Sequence, residues 1–189
     1  MNRKYKTILA DPPWAQGKIG KYKKYSQGGV KTLPYKTMTI QDIINLPVEK
    51  YADIGCHLWL WTTNEFLEAG FQVLRGWGFT YLAPITWSKP NGMGAWFQHR
   101  TQTILFGYYK KCEFNKERYK PTIFETGIPK VHSRKPAESY RLIESISETP
   151  RLELFARAHS PMFPKLPGWD VWGNEMPEND IELIGEKVL

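Results

Sequence analysis

Short apolar runs alternate with amphipathic segments along this 189-residue chain. Apolar runs of roughly four to eight residues bounded by turn signals predict buried strands, and the segments between them have the apolar spacing of helices. Strands are expected at residues 5–10, 56–62, 79–87, 103–109, 122–125, 151–156 and 169–172, and helices at residues 39–46, 65–77 and 136–147. The alternation predicts an α/β fold, with a mostly parallel sheet and helices on both faces.

The length fits one domain, residues 1–189, with a basic Gly-rich loop at 15–38 and a C-terminal tail at 176–189. No apolar run is long enough for a membrane helix, and the first apolar stretch is broken at Asp11, so neither a membrane span nor a signal peptide is predicted. The two cysteines, Cys56 and Cys112, are expected to be buried free thiols of a cytoplasmic protein.

Charge is distributed unevenly along the chain. Residues 136–189 hold five Lys/Arg and ten Asp/Glu, a net of −5, whereas residues 1–135 hold 21 and nine, a net of +12. This asymmetry is typical of a protein that binds a polyanion, although a solvated basic surface explains the charge alone equally well. The four histidines are scattered without tetrahedral Cys/His spacing, so no metal site is expected.

The tetrapeptide Asp11-Pro12-Pro13-Trp14 directly follows the first predicted strand. Open α/β sheets bind ligands beyond the carboxyl ends of their strands. Two prolines stiffen the turn and remove two amide donors, which leaves a carboxylate, free carbonyls and an aromatic face. Asp11 and the Pro12 carbonyl could accept both hydrogens of an exocyclic amine, such as N6 of adenine, and turn its lone pair toward a sulfonium methyl group. Trp14 would stack on the extruded base; the alternative is a turn that only ends a strand.

Basic residues are concentrated after this turn. Between Pro12 and Gln41 there is no acidic residue, and six lysines alternate with tyrosines: Lys18, Lys21, Lys23, Lys24, Lys31 and Lys36. Such a loop suits phosphate contacts and base stacking. A second basic group follows later in the chain: Lys110, Lys111, Lys116, Arg118 and Lys120. No separate module for reading a base sequence is recognisable, so a target sequence is not predicted.

Eight segments occur in an order that resembles one known family. They are DPPW (11–14), LPYKTM (33–38), LWLWT (58–62), WSK (87–89), GAW (94–96), HSRKP (132–136), RLELFAR (151–157) and GWDVWGNE (168–175). The chain resembles the DPPW family of N6-adenine methyltransferases over roughly residues 5–175. The resemblance implies a class I, Rossmann-like fold that is circularly permuted and uses S-adenosyl-L-methionine as its cofactor.

The resemblance also implies roles for individual residues. Lys135 would contact the cofactor carboxylate, and Phe155, Arg157 and His159 would lie near its methionine and ribose. Asn174 and Glu175 would bind the ribose hydroxyls. On the substrate side, the candidates are Tyr35, Trp61, Trp96, Lys18, Lys21, Lys23 and Lys24, with local packing as the alternative for the three aromatics. Gln102 stands where relatives often carry Glu.

The residues and the resemblance together predict an S-adenosylmethionine-dependent adenine N6-methyltransferase acting on DNA. The alternatives are methylation of RNA adenosine, methylation of cytosine N4, and an inactive nucleic-acid-binding subunit of the same fold. Asp at the first position of the turn argues against cytosine, for which relatives usually have Ser. The protein is expected to be cytoplasmic and encoded by a bacterium or a phage, with no membrane association and with a homodimer or heterodimer allowed.

Overall fold

The computed structural model describes residues 3–15, 37–94, 96–129, 134–159 and 164–183. The strands in these ranges are β1 (Tyr5–Ala10), β2 (Ala52–Thr62), β3 (Phe79–Ser88), β4 (Thr101–Tyr109), β5 (Ile123–Glu125), β6 (Arg151–Leu154) and β7 (Trp169–Trp172). The helices are α1 (Ile40–Ile44), α2 (Leu67–Gly76), α3 (Ala137–Ile146) and a 3₁₀ turn at Val48–Lys50. Every predicted element is present, although β2 begins at Ala52 rather than at residue 56.

The strands form one sheet in the order β5-β3-β4-β2-β1-β6-β7. β1 pairs in parallel with β2 and β6, as does β6 with β7 and β3 with β5, whereas β4 is antiparallel to β2 and β3. All described strands except β4 therefore end at the same side, which we call the carboxyl end of the sheet. The predicted α/β fold with a mostly parallel sheet is confirmed.

Both faces of the sheet are covered by helices. Ile8 and Leu58 pack with Val73 of α2 on one face, whereas Leu9 and Trp59 pack with Ile143 of α3 on the other. Burial on both faces explains why β2 reads as a continuous apolar run rather than as an alternating one.

Local sequence signals account for several element boundaries. Thr39 caps α1, where its hydroxyl accepts a hydrogen bond from the backbone N–H of Asp42 at 3.1 Å. Pro84 is accommodated near an irregularity between Tyr81 and Ala83, on a strand that pairs with β5 only from Thr86 onward.

Two further expectations concern the cysteines and a membrane-spanning helix. Cys56 is a buried free thiol, but Cys112 is exposed, because it follows the end of β4 in a surface connector, so its predicted burial is wrong. Within the described ranges, no helix is long and apolar enough to cross a membrane.

Candidate active site

Asp11 and Lys135, 124 positions apart in the sequence, form an ion pair at the carboxyl end of the sheet. The Lys135 Nζ lies 2.5 Å from Asp11 Oδ2, with side chains that are 14% and 31% exposed. β1 delivers Asp11, since Ala10 is its last residue, and Lys135 lies just before α3. The ammonium group also lies 5.1 Å from the centre of the Trp61 ring. The structure thus joins the predicted catalytic carboxylate to the predicted cofactor-binding cation.

The two prolines shape the turn in a way that the sequence only partly predicts. The Pro12 carbonyl accepts a hydrogen bond from the Trp14 backbone N–H at 2.8 Å, and the Pro13 carbonyl accepts one from Met38 N–H at 3.0 Å. A carbonyl oxygen has two lone pairs, so Pro12 retains one for another donor. Hydrogen bonds to both proline carbonyls therefore hold the turn, while the Pro12 carbonyl can still accept a hydrogen bond from a ligand.

Trp14 does not present its ring to a base. It is 6% exposed, its ring stacks on Phe66 with centroids 5.6 Å apart, and its indole N–H donates to the Trp61 carbonyl at 3.3 Å. The prediction that Trp14 stacks on the extruded base is wrong, because this ring belongs to the core that anchors the turn.

Trp59 and Trp61 both point to the face covered by α3, as two residues separated by one position in a strand must. Both are buried, so the structure places Trp61 in the core and matches the alternative of local packing rather than a ring exposed to substrate. The Trp61 Nε1 is nevertheless buried without a hydrogen-bond partner in the described part of the chain. Because the Lys135 ammonium lies against this ring, a buried N–H donor without a partner and a cation lie side by side.

The other substrate candidates are divided by location. Trp96 lies in the loop between β3 and β4 and is 84% exposed. Tyr35 and the lysines Lys18, Lys21, Lys23 and Lys24 lie outside the described residues. The second basic group begins after β4, at the opposite end of the sheet from Asp11. Lys116 then donates to the Glu144 carbonyl of α3, so this group is not assembled around the catalytic turn.

The remaining cofactor candidates follow β6 and β7, which lie side by side in the sheet. Arg157 Nη1 and Glu175 Oε1 are 3.9 Å apart across the two strand ends. Phe155 has a positive φ of 62°, uncommon for a residue with a side chain, and packs edge-on against Trp172 at 5.6 Å. The Arg134 guanidinium donates to the Ala158 carbonyl at 3.1 Å, which ties the Lys135 segment to the residues after β6.

His159 and Asn174 lie in the same region. Burial lowers the pKa of His159, and the positive charges of Lys165 and Arg134 lower it further, so its imidazole is neutral at neutral pH. Asn174 is exposed beside Glu175. The expected cofactor has a carboxylate that needs a cation and ribose hydroxyls that need acceptors. Lys135 with the unpartnered Trp61 N–H, and Asn174 with Glu175, fit those two requirements.

One ionisable pair at this site, Glu153 with Tyr140, is not among the residues predicted from the sequence. The Glu153 carboxyl accepts a hydrogen bond from the Tyr140 hydroxyl at 2.8 Å, and β6 places it beside Leu9 of β1. Burial raises the pKa of Glu153 to about 7, with the Asp11 charge acting in the same direction. An acidic residue between the two leucines of β6 was the available signal.

Comparison with known proteins identifies the family of this chain. Residues 5–175 match the family MT-A70. The chain is 30% identical over 193 residues to a Medicago truncatula protein named putative N(6)-adenosine-methyltransferase MT-A70-like, covering 97% of this chain and 28% of the plant protein. It is 28% identical to the human N(6)-adenosine-methyltransferase catalytic subunit METTL3, covering 98% of this chain and 30% of METTL3.

A bacterial relative is more similar in length. The type II methyltransferase M.MunI of Mycoplasma sp is 27% identical over 200 residues, covering 96% of this chain and 82% of M.MunI. The chain thus spans less than a third of the plant and human relatives but aligns with most of the bacterial one. MT-A70 methyltransferases use S-adenosylmethionine, so the predicted cofactor and family are confirmed. The chain belongs to the MT-A70 family.

Proposed function

We propose that this protein transfers a methyl group from S-adenosylmethionine to the N6 amine of adenine in DNA. The observation that carries the proposal is the Asp11 carboxylate, fixed at the carboxyl end of β1 by Lys135 and followed by a Pro12 carbonyl with a free lone pair. An inactive subunit has no use for this arrangement, so the intact pair favours an enzyme.

The exocyclic amine of adenine is a poor nucleophile because its lone pair is delocalised into the ring. Asp11 accepts one amine hydrogen and the Pro12 carbonyl accepts the other, which draws the nitrogen toward tetrahedral geometry. The cofactor, when bound, supplies an electrophilic methyl on a sulfonium. The amine becomes acidic as its new bond to carbon forms, and Asp11 is placed to receive the proton. The protein acts mainly by orientation and fixed charge.

The cofactor is held, in this proposal, by the residues that follow β6 and β7 and by Lys135. The Lys135 ammonium has three donors and can serve both Asp11 and a carboxylate. The neutral imidazole of His159 can donate and accept without adding charge. Arg157 and Phe155 line the methionine side, and Asn174 and Glu175 accept from the ribose hydroxyls.

DNA is proposed as the substrate because the alignment covers most of a compact type II methyltransferase. The basic first two-thirds of the chain suits phosphate binding, and the lysines of residues 18–24 together with Tyr35 are proposed as contacts to the nucleic acid. Methylation of DNA would take place in the cytoplasm of a bacterium, with the protein encoded by that bacterium or by a phage and acting alone, as a homodimer or as a heterodimer.

The test is methylation of DNA from a methylation-free host and of RNA transcribed from it, each with labelled S-adenosylmethionine, followed by mass analysis of the nucleosides. We expect N6-methyldeoxyadenosine in the DNA. Label only in RNA would contradict the choice of substrate, and N4-methylcytosine would contradict the choice of base. Cofactor binding without any product would favour the inactive-subunit alternative.

A further inference from the structure

The loop of residues 89–100, which joins β3 to β4, exposes an apolar tip. Met93, Trp96 and Phe97 are 88%, 84% and 78% exposed. Isolated exposed apolar residues are ordinary, but three large ones within five positions of one loop favour an interaction site. We call these three residues the loop tip.

Backbone hydrogen bonds close the loop below the loop tip. Lys89 N–H donates to the Arg100 carbonyl at 2.7 Å, and His99 N–H donates to the Met93 carbonyl at 3.1 Å. Gly94 has a φ of +154°, and a Cβ atom there would lie 1.9 Å from the Phe97 carbonyl oxygen. The chain therefore doubles back in a way that only glycine permits. The exposure of the tip side chains therefore follows from these backbone hydrogen bonds and from the turn at Gly94.

The loop opens at the carboxyl end of the sheet, on the same side as Asp11. His99 Nδ1 and Asn64 Nδ2 lie 2.9 Å apart, which fixes the loop to the residues that follow β2. Lys89, at the base of the loop, has its pKa lowered by burial and also by the charge of Lys135. β3 lies three strands from β1, a lateral separation of roughly 14 Å.

Charge distinguishes among the possible occupants of this tip. Residues 88–100 contain no Asp or Glu. Lys89 and Arg100 lie at the base of the loop, where the Arg100 guanidinium donates to the Lys89 carbonyl at 3.0 Å. The aromatic and apolar side chains of the tip suit contact with stacked nucleobases, and the two cationic residues at the start and end of the loop suit contact with the flanking phosphates.

We propose that the loop tip is a wedge that enters the base stack of duplex DNA beside the target adenine. Extrusion of an adenine toward Asp11 leaves a gap in the duplex, and Trp96, with Phe97 beside it, fills that gap by stacking on the neighbouring bases. The stacking offsets part of the cost of unpairing and holds the base outside the helix. This inference rests on the proposed function, because it takes duplex DNA as the substrate.

The test uses a duplex that already contains the gap, so it needs neither methyl transfer nor a known target sequence. Binding of the full-length protein is measured by fluorescence anisotropy on two duplexes that differ only in one abasic site. We expect the wild type to prefer the abasic duplex by about tenfold, the scale of one base–aromatic stack. Trp96→Ala removes the preference. Tyr119→Asn, at a fully exposed aromatic in another segment, keeps it.

Three results would overturn the wedge. They are equal binding of both duplexes by the wild type, a preference that survives in the double variant Trp96→Ala/Phe97→Ala, and a wild-type oligomer in sedimentation that Trp96→Ala dissociates. The last would make the tip a contact between protein chains. A preserved abasic preference in a protein that methylates no DNA would instead contradict the proposed function and leave the wedge standing. Circular dichroism confirms that each variant is folded.

Discussion

Two polar clusters lie in the same sheet and differ in how their groups are partnered. In the first, Asp11 and Lys135 pair at the carboxyl end, with both side chains partly accessible. In the second, His57 of β2 is buried, and its two ring nitrogens lie 2.7 Å from the Ser147 hydroxyl and 2.7 Å from the Glu113 carbonyl. Trp59 Nε1 donates to the same Ser147 hydroxyl at 2.9 Å.

The two clusters differ in whether polar groups remain available to bind a ligand. The His57 cluster uses both ring nitrogens internally, and burial lowers the pKa of His57, so the ring is neutral and has no position left for a ligand. The Asp11 cluster keeps a partly accessible carboxylate, a carbonyl lone pair and an unpartnered indole N–H beside it. A histidine is the more usual sign of catalysis, but we propose that in this protein the accessible carboxylate of Asp11 carries that role.

Asp11→Ala tests the difference between the two clusters most strongly. We expect methyl transfer to fall by about a thousandfold or more, because an interaction made in the transition state is removed. Stability should change by about 1 kcal/mol, as for other partly exposed ion pairs. Asp53→Ala is the matched control, since Asp53 pairs with Lys6 at 3.0 Å but lies away from the carboxyl end. Activity that survives Asp11→Ala would remove the carboxylate from the mechanism.

His57→Leu tests the other cluster and should have the reverse effect. Removing the ring leaves Ser147 and the Glu113 carbonyl without their buried partner, which we expect to cost about 3 kcal/mol of unfolding free energy in urea. The turnover per folded molecule should be unchanged. A large loss of turnover with normal stability would show that the two clusters are not distinct in role.

Glu153→Gln tests the carboxyl that lies behind the site. Its pKa of about 7 in the folded protein is above the ordinary value of 4.5, so wild-type stability should fall as the pH rises from 4.5 to 7 and then level off. The amide variant lacks this ionisation and should gain about 3 kcal/mol relative to wild type between pH 4.5 and pH 8. Urea unfolding across that range measures it, with Glu138→Gln, whose side chain is 44% exposed, as the control. Parallel curves for wild type and Glu153→Gln would contradict the raised pKa.

The smallest effect is expected at Thr39, beyond both clusters. Thr39→Ala removes the cap of α1 and should cost about 1 kcal/mol, whereas Thr39→Ser keeps the hydroxyl and should cost little. Thermal unfolding compares the two. Equal losses would indicate that the hydroxyl bond to Asp42 N–H does not stabilise the helix.

Much of this molecule follows from its sequence. Apolar runs gave the strands, because burial on two faces requires continuous apolar residues, and the turn after β1 follows from its two prolines. Lys135 was found through the family resemblance alone, since no spacing rule joins residues 124 positions apart.

Other features depend on tertiary contacts that periodicity does not encode. Trp14 serves the core because Phe66 lies beneath it, which the tetrapeptide does not indicate. The second basic group starts at the opposite end of the sheet because β4 runs antiparallel, and hydropathy carries no strand direction. Glu153 and the shared face of Trp59 and Trp61 were readable from the alternation of a strand but were not recognised.

The most direct measurement is a crystal structure with a bisubstrate analogue in which adenine N6 is tethered to the methyl-donor position of the cofactor. We expect N6 about 2.7–3.2 Å from the Asp11 carboxylate, with the Pro12 carbonyl on its other side. An analogue bound with N6 directed away from the turn, while Asp11 remains bonded only to Lys135, would contradict it.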